Sequence, residues 1–450
     1  MEKRERKVKS LLKTDGRDKV KVLICSILFM GLAHLLLLKR KGKGLALAFI
    51  EIMFLLFTVG TTIAGSGPSI YYAISDMTNY GVGANGVVYN AQAHNFILIE
   101  GVMASVVVFL FLVVYFFSIR DALNTYKKYC LAKRFEGIKT ASRTIDESFP
   151  IFALAPAVVL VLFFVVTPLV FAAIVAFTDY TTVNQNFKWV GLDNFKYIFG
   201  GNATWTNALG SVVSWTLIWA LLATVTCYFG GLVVAVLLSD NKIKMAPAFR
   251  TIFILPYAVP AIVSMRVWFS LLNGTSGGII NRTLMDLNII SKPVSFFSSV
   301  AMARFLCILI NLWAGFPYFM LLSMGTMTSI SADVMEAAQI DGANKIQIFR
   351  TITLPLVLYQ TAPLIIMSFV HNINNFGAIY YLTGGAPNTK ISTSTYAQGT
   401  DIIVTWIYKL TVDQGQYRYA SVLAIMVFMV LCPVAIWNFR RTKSFKEGEL

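Results

Sequence analysis

Apolar residues gather into nine long runs separated by short polar stretches, and this alternation dominates the chain. The runs fall at about residues 20–38, 44–64, 96–118, 151–177, 210–238, 252–272, 300–326, 358–382 and 420–438. Each is near the ~20 residues that a helix needs to cross the ~30 Å hydrocarbon layer of a bilayer. The pattern predicts an all-α polytopic membrane protein.

The polar stretches sort by charge. Loop 119–149 carries Arg120, Lys127, Lys128, Lys133, Arg134, Lys139 and Arg143, whereas loop 65–95 has no Lys or Arg. Basic loops stay in the cytoplasm, so the first is predicted inside and the second outside. Alternation then puts 178–209, 273–299 and 383–419 outside. It puts 239–251, 327–357 and the tail with Arg440, Arg441, Lys443 and Lys446 inside. The beginning breaks the parity. Residues 1–21 hold nine Lys/Arg against four acids, and a full crossing by 20–38 would carry that charge outside. We therefore expect 20–38 not to span; Gly31 and His34 in its middle suit a broken, re-entrant or interfacial hairpin. The result is eight transmembrane helices plus an N-terminal hairpin, with both termini cytoplasmic; nine spans is the alternative.

Composition agrees: 57% of the 450 residues are hydrophobic and the mean hydropathy is +0.68. The net charge of +16 does not indicate nucleic acid, because the basic residues sit beside apolar runs, where topology accounts for them. Cys25, Cys130, Cys227, Cys307 and Cys432 show no CxxC spacing, and His34, His94 and His371 are scattered, so no metal or disulfide framework is expected. Residues 1–118 read as an accessory membrane segment and 119–149 as a basic cytoplasmic linker. The transport core is expected at 150–440 and a cytoplasmic tail at 441–450.

Between two of the core runs lies the string DVMEAAQIDGANKIQIFRTITLP, residues 333–355. Asp333 is placed to cap a short helix, with Glu336 reaching back to it. Ala337 and Ala338 keep one face small, Gly342 supplies a left-handed stop, and a second amphipathic piece with Ile346, Ile348, Phe349 and Ile352 follows. Helix, glycine stop and second helix make a compact exposed knob. An ordinary interfacial helix would explain the Glu-Ala-Ala triplet alone.

Run 358–382 contains Ser368, His371, Asn372 and Asn375, at offsets 0, 3, 4 and 7. That spacing is one stripe of a helix. Facing lipid, each unsatisfied polar group would cost about 1–3 kcal/mol, so the stripe must face protein or a wet cavity. Neutral donors and acceptors suit sugar hydroxyls; they equally suit polar bonding between helices, and the residues alone leave both open. In residues 311–318, NLWAGFPY, Gly315 and Pro317 are expected to interrupt the span, with Trp313, Phe316 and Tyr318 flanking the break. Such rings stack on sugar faces, or pack around a proline kink. Arg266 lies near the outer end of its run and is expected to snorkel; Glu51 is expected at the inner interface.

The string Glu336-Ala337-Ala338, Asp341-Gly342-Ala343 resembles the coupling loop of ATP-binding-cassette importer permeases. Phe177-Thr178-Asp179-Tyr180, Gly191-Leu192-Asp193-Asn194-Phe195, Leu255-Pro256-Tyr257-Ala258-Val259-Pro260, Asn374-Asn375-Phe376 and Leu382-Thr383-Gly384-Gly385 follow in order. Together they resemble the larger membrane subunit of maltose/maltodextrin importers, over roughly 150–440. The resemblance implies a type I importer permease in a bacterial plasma membrane. It implies that Glu336, Ala337, Ala338, Asp341, Gly342 and Ala343 couple to a cytoplasmic ATPase dimer. It also implies a mid-membrane sugar site at Trp313, Ala314, Gly315, Tyr318, Ser368, His371, Asn372 and Asn375. The implied partners are that ATPase, a second permease subunit, an extracellular sugar-binding protein, an oligosaccharide substrate and membrane lipid. Two positions depart from the family: Ala314 is smaller and His371 is not aromatic, so the sugar stays open between maltodextrins and other oligosaccharides. The short 178–209 loop lacks the large insertion of the best-known member.

The chain has no GxxxxGK[ST] loop, so no cofactor is expected on it and ATP belongs to a partner. A secondary transporter would favour intramembrane carboxylates, and a membrane enzyme would need clustered acids or histidines; the core runs offer neither.

Overall fold

A computed structural model of the protein describes residues 19–38, 41–56, 58, 70–79, 91–132, 157, 160–181, 188–239 and 245–441. The basic tail 1–18, linker residues 133–149, the start of run 151–177 and the tail 442–450 lie outside the described residues, as do parts of loops 65–95, 178–209 and 239–251. The chain forms two compact units, 1–189 and 190–450. Helices account for nearly all regular structure; among the described residues the extended pairing is a single bridge between Thr178 and Trp189. Among the described residues five helices are long and apolar enough to cross a membrane: Phe96–Lys127, Ala203–Leu238, Val300–Thr328, Lys345–Ile373 and Tyr417–Ile436.

In the first unit, run 20–38 is broken at residues 29–31. A short helix α1 (Leu32–Leu36) follows, and α2 (Lys41–Leu55) packs against it. The break frees backbone donors in an apolar setting, which must find partners. Glu51 supplies one: it is buried and accepts from the Met30 N–H. The long helix α3 (Ala91–Ala132) bonds to a carbonyl and to side chains around the break. Its Tyr115 hydroxyl donates to Ile27 O at 2.7 Å. Its Asp121 sits 2.9 Å from both His34 Nε2 and Lys43 Nζ. Glu51, expected at an interface, thus serves the interior of the break instead.

The second unit is built on α4 (Ala203–Leu238). At 1.5 Å per residue it is about 54 Å long, well beyond the hydrocarbon thickness. Asn202 caps it, its side chain accepting from Thr204 N and Trp205 N at 3.0 and 3.2 Å. Trp205, Trp215, Trp219, Thr224, Tyr228 and Gly231 are all buried along it. Next come α5 (Ala246–Ala258) and α6 (Ala261–Leu271), which meet at 91°. The sequence pattern treats 252–272 as one run. Val259, extended at φ −84° and ψ 132° before Pro260, breaks it, because a residue preceding proline is pushed out of the helical region.

The helix α7 (Val300–Thr328) makes the largest helix contact of the unit, with α4. A Cβ at Gly231 would lie 2.6 Å from Met320 N and from Phe316 O, and one at Gly315 would lie 2.8 Å from Cys227 Sγ. The two backbones touch through small residues, as membrane helices do when lipid removes the hydrophobic drive to associate. Gly315 and Pro317 do not interrupt α7, against the sequence expectation; the helix runs through both. Gly315 is there for close approach to α4.

Four helices complete the part used below: α8 (Ala332–Ile340), α9 (Lys345–Ile348), α10 (Leu354–Ile373) and α11 (Phe376–Thr383). The segment 384–416, with α12 (Ile403–Tyr408), folds onto the N-terminal half of α4, and α13 (Tyr417–Arg441) closes the chain. Trp215 Nε1 donates to Thr400 O at 3.0 Å, and Ile403 N donates to Thr216 Oγ1 at 3.0 Å. Arg304 Nε donates to Gly399 O at 2.9 Å, with its guanidinium 4.3 Å from the Trp215 ring. Inside the segment Lys409 Nζ lies 2.8 Å from Asp401 Oδ2, with both side chains nearly out of solvent. Gln398 N and Thr405 Oγ1 also donate to the carboxylate. Burial pushes the Asp401 carboxyl up, and Lys409 opposes it.

Removing one partner of a buried ion pair strands the other charge, at a typical cost of about 3–5 kcal/mol. We expect Lys409→Met to lower the thermal unfolding midpoint in detergent sharply, and Asp401→Leu combined with Lys409→Met to recover most of the loss. Equal midpoints for the single variant and wild type would show the pair to be dispensable.

Candidate functional site

The predicted polar stripe lies on the last turns of α10 and just beyond them. The helix stops after Ile373; Asn374 has left the helical region, and Asn375 begins α11 as its cap. The Asn375 Oδ1 accepts from Ala378 N at 3.3 Å. The stripe is therefore not one continuous helical face. Asparagine side chains offer the backbone local hydrogen bonds that compete with helix, and Asn372, Asn374 and Asn375 cluster at this point. A break inside an apolar run is tolerated only where protein or a wet cavity receives it.

The four side chains diverge. Asn372 is 5% exposed. Its Nδ2 donates to Thr224 Oγ1 on α4 at 3.0 Å, and its Oδ1 accepts from Asn375 Nδ2 at 3.3 Å. Trp219 Nε1 on α4 donates to the Asn372 carbonyl at 3.1 Å. Asn372 thus ties α10 to α4 while keeping spare bonding capacity. Ser368 and Asn375 are half-buried, and His371 is exposed. About two turns before Ser368 on α10, Thr361 meets the Tyr228 hydroxyl at 3.0 Å. Trp219, Thr224 and Tyr228 are absent from the sequence reading of the site; they lie five and four residues apart on α4, a spacing that marks no single face.

The second predicted group lies on α7. Trp313 and Tyr318 are each a little over one third exposed, and Ala314 and Gly315 are half-buried. Trp313 packs edge-on against Trp268, with centroids 5.5 Å apart, and Tyr318 lies 6.2 Å from Tyr257. Trp313 also lines a cavity of about 540 Å³ with Trp268, Gly230, Val234, Leu306 and Phe316, an almost wholly apolar wall. Among the described residues no hydrogen bond joins Trp313 or Tyr318 to the α10 stripe. The helices themselves pack together.

The third group is the knob. Ser331, not Asp333, caps α8; its Oγ accepts from Asp333 N at 3.2 Å. The reciprocal capping box sits one helix later, between Asn344 and Gln347. Serine takes the cap because the helix begins at Ala332, one residue before Asp333. The predicted stop is present: Gly342 has φ +81°. Gly342 N donates to Gln339 O and Ala343 N to Ala338 O, both at 3.0 Å. That pair of bonds satisfies the last carbonyls of α8. Glu336, Ala337, Asp341 and Gly342 are exposed, and Ala338 and Ala343 half-buried. Ile340 is 85% and Ile346 65% exposed, so apolar tips project. Behind them, α9 continues through a π turn at Phe349–Thr353 into α10 as one span, Lys345–Ile373. Ile348 is buried, and Phe349 packs with Tyr228, Phe319 and Val357. The knob and the broken polar turn are two ends of one rod.

A helical span bundle with a rigid protruding knob, continuous with a span that carries a polar break, is the architecture of a transport permease core. The chain belongs to the family of binding-protein-dependent transport system inner membrane components, whose model matches residues 228–440. It is 35% identical to the galactooligosaccharides transport system permease protein GanP of Bacillus subtilis, over 85% of this chain and 92% of that one. It is 32% identical to the maltodextrin transport system permease protein MalC of Streptococcus pneumoniae, over 78% of this chain and 82% of that one. A bacterial ABC transporter involved in the import of the acidic polysaccharide alginate shares the fold, with TM-score 0.52 and 20% identity, covering 67% of this chain and 99% of its own.

Asn372→Ala removes the bond to Thr224 and should lower stability by about 1 kcal/mol. His371→Ala, at an exposed position, should not. A double-mutant cycle of Asn372→Ala with Thr224→Val, read by thermal unfolding in detergent, should give a coupling of about 0.6–1.7 kcal/mol. Strict additivity would mean that the two side chains do not interact.

Proposed function

We propose that this chain is a membrane permease subunit of an ATP-driven oligosaccharide importer. The observation that carries the reading is the single rod from α9 to the Asn374 break. A push on the knob is delivered, without an intervening hinge loop, to the polar turn at the other end. Maltodextrins and galacto-oligosaccharides are the substrates named for the two relatives above, and neutral donors and acceptors at the break suit either.

In this reading Ser368, His371, Asn372 and Asn375 present hydroxyl, imidazole and amide groups to the sugar. Trp313, Ala314, Gly315 and Tyr318 form the facing wall, with the two rings offering stacking surfaces. Glu336, Ala337, Ala338, Asp341, Gly342 and Ala343 seat in a separate cytoplasmic ATPase dimer. The chain itself binds no nucleotide cofactor. A second permease subunit completes the path, and an external sugar-binding protein delivers the substrate. Eight spans with an N-terminal hairpin keep both termini in the cytoplasm, and the break at residues 29–31 with Glu51 bound to Met30 supports the hairpin. Residues 150–440 are the transport core, 1–118 an accessory membrane segment, 119–149 the basic linker and 441–450 the tail.

The test is uptake by proteoliposomes carrying the whole transporter: this chain, the second permease, the ATPase and the binding protein. Labelled maltodextrins and galacto-oligosaccharides should enter only with internal or external ATP at the ATPase face. Uptake by this chain alone, without the ATPase, would overturn the proposal. Gly342→Pro cannot adopt φ +81°, since proline is held near −65°, and should re-aim the knob. We expect ATP hydrolysis to persist while uptake falls at least about tenfold, a loss of roughly 1.4 kcal/mol of coupling. Normal uptake by that variant would remove the knob from the coupling path.

A further inference from the structure

Beyond Asn375 the chain places four aromatic rings together. Phe376, the next residue, stacks on Tyr380 with centroids 4.6 Å apart and planes 21° apart. Tyr408 of α12 lies 4.8 Å from each of these rings. Tyr381 stands edge-on to Phe376, at 5.9 Å and 85°. All four are half-buried. The comparison within the same unit is the cluster of Trp205, Trp406 and Tyr419, whose tryptophans are 4% and 0% exposed. That second cluster is closed core, with Trp406 Nε1 bonded to Thr395 O at 2.7 Å. The Phe376 cluster is open and carries three phenolic hydroxyls. Arg266 and Asp413 lie within electrostatic reach of Tyr380. The rings are thus edged by three hydroxyls, with an arginine and an aspartate near Tyr380. Aromatic faces bordered by hydrogen-bonding groups have the chemistry that receives a sugar ring: stacking on its apolar face, bonds to its equatorial hydroxyls.

Position adds the second argument. The Asn375 side chain joins the stripe at Asn372 on one side and starts α11 on the other. The rings of α11 are therefore the direct continuation of the polar turn. We propose that Phe376, Tyr380, Tyr381 and Tyr408 form a stacking subsite for the sugar units of an oligosaccharide that extend past Asn375. This rests on the oligosaccharide reading above and deepens it. The subsite discriminates by chain length: a disaccharide fills the stripe without reaching it, and a pentasaccharide occupies both.

The experiment uses the assembled transporter in proteoliposomes, with maltose and maltopentaose as one pair of probes and the two- and five-unit β-galacto-oligosaccharides as the other. Tyr380→Leu and Tyr408→Leu should lower the five-unit to two-unit uptake ratio about fivefold relative to wild type, and Tyr380→Phe and Tyr408→Phe, which keep the ring, by less than about twofold. An unchanged ratio, or equal loss of both substrates in a complex that still assembles, overturns the subsite. Should the Leu variants fail to assemble, hydrogen exchange on the wild-type complex decides: residues 376–383 should slow with the five-unit sugar and not with the two-unit sugar. The same exchange with both overturns it. Wild type that imports no saccharide at all removes the underlying reading and the subsite with it, whereas saccharide import with a ratio insensitive to the rings removes the subsite alone.

Discussion

The second unit depends on the seam where α4 and α7 meet backbone to backbone. In water, burial of apolar surface would hold two such helices together. In a bilayer that drive is absent, and association rests on van der Waals fit and a few polar bonds. Gly231 and Gly315 bring the two backbones into contact, and a single methyl at either position would collide with the opposite helix. Once α4 is fixed against α7, its other buried residues acquire defined tasks. Trp215 and Thr216 hold the 384–416 segment, Trp219 and Thr224 hold the end of α10, and Tyr228 holds Thr361. One helix thereby sets the positions of the polar break, the folded segment beyond it and the rod that leads to the knob.

The rod explains why the knob is built as it is. A flexible loop would absorb a push as conformational entropy. Here α8 is capped at both ends, by Ser331 and by the Gly342 stop, and α9 is boxed by Asn344 and Gln347. Ile348 and Phe349 then anchor the second helix against Tyr228 and Phe319. The π turn at Phe349–Thr353 is one turn wide and keeps helical geometry. The knob is thus joined to α10 by continuous helix, and the far end of α10 is where the chain leaves helical geometry among three asparagines.

Much of this was legible from residue pattern alone. Long apolar runs mark spans because lipid permits no other backbone arrangement; among the described residues 96–118, 210–238, 300–326 and 420–438 each lie within one helix, while 358–382 breaks at Asn374. Gly342 was legible because the left-handed region is nearly closed to other residues, and the break near Gly31 because Gly31 and His34 interrupt the apolar run. The failures have local physical causes. Asp333 and Ser331 are both good caps, and which one is used depends on where the preceding helix ends. The 91° bend was written in Val259-Pro260, but a run of apolar residues hides a corner. The polar stripe was found, whereas the direction of each side chain was not. Asn372 turns toward Thr224 and Trp219, residues some 150 positions earlier, and periodicity within one helix carries no information about such a partner.

The exposed tips of the knob carry one more consequence. Ile340 at 85% exposure and Ile346 at 65% are oily points on an otherwise polar, well-capped turn. A lone copy of the chain wears them openly, and they are covered only when another surface closes over them. Water gains nothing from two such side chains held clear of the fold, so an apolar surface that met the turn would find its contact area already presented and rigidly aimed.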